Sequence, residues 1–140
     1  MVTASLAAVK ASAGRKWAAM LLVALVALPG CTDRSGRSVV EGRVTWEGKP
    51  VPAGSVAFEP DPDRGGKGPA GVAPIRNGRF RTEARFGAVA GPHIARFWFF
   101  DGQGGDALSP SGRMICPEFT EPVDLPGKAV TIDFDFPRQK

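Results

Sequence analysis

Cys31, Cys116 and His93 carry most of the chemistry open to this chain, which has two cysteines, one histidine and no tyrosine. A thiol beside an imidazole can act as a nucleophile with its base. No orienting signature surrounds either residue, and Pro117 directly follows Cys116. His93 is expected at a strand edge, and Cys116 as a half-buried small apolar side chain. Zinc needs three or four ligands drawn from His, Cys, Asp and Glu, and these two residues in separate segments do not begin such a set. Asp61 and Asp63 open a segment with a faint likeness to a calcium loop. The twelfth position, where an EF-hand places its bidentate glutamate, is Val72. Gly65-Gly66-Lys67-Gly68 has glycine where a phosphate loop needs serine or threonine. Gly102-Gln103-Gly104-Gly105-Asp106 lacks the third glycine and following helix of a dinucleotide fingerprint. The expectation is no catalytic residue, no metal and no cofactor. One feature stays open: Phe97-Trp98-Phe99-Phe100 beside Arg96. Exposed aromatics there, with Trp46, could stack against a sugar or a peptide. The favoured alternative is a central strand buried on both faces.

Cys31 has a different context. Lys10, Arg15 and Lys16 precede WAAMLLVALVAL, an uncharged run from Trp17 to Leu28. A spanning helix needs about 20 apolar residues, so this run matches the apolar core of a secretory signal peptide. It ends in Leu28-Pro29-Gly30-Cys31, which resembles a bacterial lipobox: an aliphatic residue, a variable one, a small one and cysteine. The resemblance implies diacylglycerol on the Cys31 thiol and cleavage before it. Cys31 then anchors the mature chain to a membrane, because two or more acyl chains hold stably where one does not. A 31–116 disulfide is the competing and weaker expectation. The polar stretch TDRSGRS, residues 32–38, reads as a flexible tether spanning at most about 25 Å.

Charge follows the same division. The formal net charge is +4, from 18 basic and 14 acidic residues. Residues 1–30 hold three of the basic residues and no acid, which leaves 15 against 14. Nucleic-acid binders cluster basic residues on one face. Here they alternate with acids, so no nucleic-acid partner is expected.

From residue 39 the apolar residues recur with period two, the mark of half-buried strands. Val40, Gly42, Val44 and Trp46 share one face, as do Val56 and Phe58. Residues 72–75 form a short strand expected at an edge, because Pro74 cannot donate to a ladder. Asn77-Gly78 between Ile75 and Phe80 is a strong hairpin signal. HIARFWFF, from His93, is the most apolar strand and is expected to be central. Residues 61–71 and 101–112 read as flexible loops. In the last strand Val130, Ile132, Phe134 and Phe136 face inward. With no helical periodicity to cover a sheet, two packed sheets are the simplest solution, and a small barrel is the alternative.

VEGRVTWEGKPVPAGSVAFEP, from Val40 to Pro60, resembles the opening of carboxypeptidase-regulatory-like domains, V-x-G-x-V-x-x-x-G-x-P-V-x-G-x-x-V-x-F-x-P. Asn77-Gly78-Arg79-Phe80 resembles the family's x-G-x-F hairpin. Ala90-Gly91-Pro92-His93 resembles its P-G-x-Y lead into a central strand, with Pro and Gly rearranged and His for Tyr. The resemblance covers about residues 39–136. It implies an all-β, seven-stranded antiparallel β-sandwich, transthyretin-like, and no peptidase activity. The expected organisation is a signal peptide at 1–30, lipidated Cys31 and tether at 31–38, and the domain at 39–140. The expected function is a lipid-anchored, non-enzymatic module of the cell envelope, on the extracytoplasmic side, with a structural or adhesive role toward an envelope protein or glycan. The alternative is a carbohydrate- or peptide-binding module using Trp98, Trp46 and Arg96 beside the two loops.

Overall fold

In the computed structural model, which describes residues 36–104 and 107–138, the alternating segments are strands. The expected signal peptide, Cys31 and residues 32–35 of the tether lie outside the described residues. The strands are β1 (Val40–Trp46), β2 (Lys49–Pro50), β3 (Ala53–Pro60), β4 (Gly71–Arg76), β5 (Arg79–Arg81), β6 (Gly91–Phe100), β7 (Phe119–Leu125), β8 (Val130–Thr131) and β9 (Phe134–Phe136). Two short 3-10 turns, Pro62–Arg64 and Ala84–Phe86, are the helical segments among the described residues. No helix there is long and apolar enough to cross a membrane.

All nine strands belong to one hydrogen-bonded sheet in the order β2-β1-β5-β4-β3-β6-β7, with β8 and β9 also on β1. The pairings are antiparallel except those of β8 and β9, which run parallel to β1. The sheet curls because its apolar rings meet across its ends. β7 and β9 are far apart along the hydrogen-bonded order, yet the Phe119 and Phe136 rings lie 4.7 Å apart. Phe97 on β6 touches Phe134 and Phe136 at 4.7 and 4.9 Å. Edge and tilted ring contacts of this kind add to the area each ring buries. Phe58, Phe80, Phe99, Val40, Val44, Val56 and Ile75 complete the interior. As expected, β6 is central, paired with β3 from Ala53↔Phe100 to Pro60↔His93 and with β7 from Gly91↔Leu125 to Phe97↔Phe119. The Asn77-Gly78 hairpin also forms: Arg76 pairs Arg79, and φ of 49° and 70° at the two turn residues matches a type I′ turn.

Four local expectations are corrected. β4 is not an edge strand but lies between β3 and β5. Its pairing with β5 covers only Ile75 and Arg76, so the ladder on that side ends before Pro74, whose missing N–H is harmless there. β7 went unanticipated because its faces are mixed in polarity; it is an outer strand, where Pro122 is tolerated. The last strand is split at Ile132 and Asp133, where the Asp133 carboxylate replaces a backbone acceptor and takes the Arg43 N–H at 2.8 Å. Residues 61–71 begin as an ordered turn: Asp61 is buried, its carboxylate accepts from the Asp63 N–H, and its own N–H donates to Pro92 O.

The residues just before β1 also bond to the rest of the fold. Arg37 donates to the carbonyls of Ala70 and Gly87, and Ser38 exchanges backbone hydrogen bonds with Ala88 at 2.8 and 3.1 Å.

Candidate functional site

Strand alternation puts Ile94, Arg96, Trp98 and Phe100 on the outer face of β6, and all four are half-buried rather than enclosed. The strand is therefore fully buried on one face only. Arg96 is already committed: its Nε donates to Glu59 at 2.7 Å and its Nη1 to Glu118 at 2.7 Å. These two hydrogen bonds raise its pKa further above the ordinary guanidinium value. Trp98 lies opposite Ser55 on β3, and Phe100 opposite Ala53, so the small β3 residues leave the aromatic faces open on that side.

Trp46 is elsewhere. It faces the interior from the end of β1 and lines a pocket of about 240 Å³ with Ile115, Cys116, Pro117 and Phe119. Its indole N–H is buried without a hydrogen-bond partner. Trp98 and Arg96 thus share a face, and Trp46 does not join them. The two loops also separate. Residues 61–71 follow the end of β3 that pairs with His93, and residues 101–112 follow the opposite end of β6. The second loop is pinned at its base, where Asp101 accepts from the N–H groups of Gln103 and Arg113.

His93 is not an edge residue. It is fully buried on the inner face of β6, in phase with Ala95, Phe97 and Phe99. Its Nδ1 lies 2.9 Å from Gly91 O, so Nδ1 carries the proton and donates, and Nε2 has no partner. Cys116 is half-buried beside Trp46. Its neighbour Ile115 bonds to Phe99 and nearby Phe119 pairs with Phe97, both at least four residues along β6 from His93. That is about 13 Å or more at strand rise, beyond reach of a nucleophile–base pair. Burial, with a smaller contribution from Glu47, pushes the Cys116 thiol up, which disfavours the reactive thiolate. Among the described residues no group of three His, Cys, Asp or Glu side chains could hold a metal ion.

A separate concavity involves none of these residues. An open groove of about 720 Å³ runs over the outer face of β1, β5 and β4, with Arg43, Arg76, Arg79 and Arg81 along it. Arg81 pairs with Glu41. The alternation alone marks these residues as outward, but only strand order reveals that they are neighbours. No protein-family model matches this chain, and no curated protein matches it either.

Proposed function

We propose that this chain is an exported lipoprotein, acylated at Cys31, whose folded part is a carboxypeptidase-regulatory-like β-sandwich of the transthyretin type. It is held at the outer side of a membrane as a non-enzymatic, structural or adhesive module of the cell envelope. One observation carries the proposal: basic residues, a twelve-residue apolar run, small Gly30 and then Cys31 stand in the order that export, cleavage and acylation require. The curled all-β domain with apolar rings on its inner face is compatible with the sandwich. The distance between Cys116 and His93, and the raised thiol pKa, weigh against a cysteine enzyme.

The test is metabolic labelling with an alkyne fatty acid followed by mass spectrometry of the mature N-terminus. The expected result is an acylated N-terminal Cys31, and no label on Cys31→Ser, which keeps residues 1–30. Unlabelled wild-type protein, or cleavage at another bond, overturns the proposal.

A second reading, binding of carbohydrate or peptide, is favoured by the half-open Trp98 face beside Ser55 and Ala53. Quenching or shift of Trp98 fluorescence on titration with glycans or peptides, lost in Trp98→Phe, tests it.

A further inference from the structure

Three arginines form an unbroken row across three strands. Arg43 on β1 pairs directly with Arg79 on β5, and Arg79 pairs directly with Arg76 on β4. Directly opposed residues project from the same face, with adjacent strands about 4.8 Å apart. The row therefore sets the Cα atoms of three arginines within about 10 Å, and their side chains line the groove. Like charges in directly opposed positions destabilise a sheet. Among the described residues none of these three guanidiniums has an ion pair, and each side chain is exposed. The nearby acids are otherwise engaged: Glu41 binds Arg81, and Asp133, which bounds the row beside Arg43, accepts the Arg43 backbone N–H. The fold thus carries a like-charge row in which, among the described residues, no arginine has an ion pair of its own.

The same registers continue the row toward the aromatic strand. Arg76 pairs with Ala53 and Ala53 with Phe100; Pro74 pairs with Ser55 and Ser55 with Trp98. The outer face therefore has guanidiniums on one flank, small side chains in the middle and half-open aromatic rings on the other. From Arg43 to Phe100 the face crosses five strands, about 19 Å along the sheet.

We propose that this face binds a linear acidic polysaccharide, a uronic-acid polymer lying across the strands. Its carboxylates would engage Arg43, Arg79 and Arg76, and a sugar ring would stack on Trp98. A repeating carboxylate on a chain of rings matches evenly spaced fork donors followed by aromatic faces. An anionic bilayer fits less well, because the arginines line a concavity on the sheet rather than projecting from loop tips with apolar residues between them. The inference rests on the carbohydrate reading of Trp98 and is independent of acylation at Cys31.

The experiment uses the full chain in non-ionic detergent on surfaces coated with polygalacturonate, with neutral dextran, and with phosphatidylglycerol or phosphatidylcholine bilayers. The expected result is binding to polygalacturonate that weakens as salt rises. The Arg76→Gln/Arg79→Gln double variant should bind it about tenfold more weakly or worse, through loss of two charge-assisted contacts. Its melting temperature should be equal or higher, because the like-charge row is relieved. Arg85→Gln, on a pair with Glu83 away from the groove, should change binding less than about twofold. Polygalacturonate binding unchanged in the double variant overturns the arginine row. If dextran then binds in a Trp98-dependent way, the carbohydrate reading survives without the row. No binding to either polysaccharide removes both. Arginine-dependent binding to phosphatidylglycerol alone overturns the proposal and gives the face to the membrane.

Discussion

At the scale of single residues, the tightest constraint is a missing side chain. A Cβ on Gly42 would overlap the carbonyl of Ile132, where the chain passes β1 between β8 and β9. Because the obstacle is backbone, relief requires moving a strand. Gly42→Ala should therefore destabilise the domain by about 3 kcal/mol, at the upper end of overpacking costs, read from urea denaturation. Cys116 gives a second residue-level prediction. Burial holds its thiol protonated, so alkylation at pH 8 should be slower than for a free cysteine, and Glu47→Gln should speed it. The linkage has a definite sign. A folded-state pKa raised above the ordinary 9.0 contributes stability that is present below pH 9 and is lost as pH rises through the folded value. Stability should fall above pH 9, and Cys116→Ala should remove that part of the alkaline slope.

At the scale of elements, closure depends on rings rather than on hydrogen bonds. Phe97, fully buried, contacts Phe99, Phe134 and Phe136 and so ties the centre of the sheet to its last strand. Phe97→Ala should cost about 3–5 kcal/mol in chemical denaturation, a large share of the stability of a small domain. Trp98→Ala, next along β6 but facing out, should cost about 1 kcal/mol. Period two separates the two faces of β6, and the Asn77-Gly78 turn and the inward set of β9 were legible too, because these are local patterns; that β6 buries only one face was not, since both were expected to be buried. What the sequence hid is non-local. β7 has no clean alternation, since an outer strand with exposed Glu121 and Asp124 buries little beyond Phe119 and Leu125. The arginine row is invisible for a related reason: Arg43 and Arg79 become neighbours only through the β1–β5 pairing. His93 misled because one polar residue in an apolar strand suggests exposure, whereas its Nδ1 is satisfied by Gly91 two residues back.

At the scale of the whole molecule, the residues just before β1 decide where the folded domain begins. Arg37 and Ser38 are bonded into the fold, so only residues 32–36 separate them from Cys31, at most about 18 Å of chain. If Cys31 is the anchor, a pull on it loads the Ser38–Ala88 bridge and the Arg37 contacts before it reaches β1. The same contacts cover Gly87 and Ala88, both buried, against which the start of β4 packs at Gly71. A chain beginning at Gly36 should keep all of this. A chain beginning at Val39 loses two backbone hydrogen bonds and the Arg37 guanidinium, and leaves the Ala88 N–H and C=O without their partners. At about 0.5–1.5 kcal/mol per hydrogen bond, the difference should be about 2 kcal/mol. For a domain near 100 residues that lowers the melting temperature by about 10 °C. Paired calorimetry of the two chains measures it directly. Equal melting temperatures would put the start of the domain at β1 and restore the longer tether. A drop of the expected size makes Arg37 and Ser38 structural and leaves only the five residues 32–36 between them and Cys31.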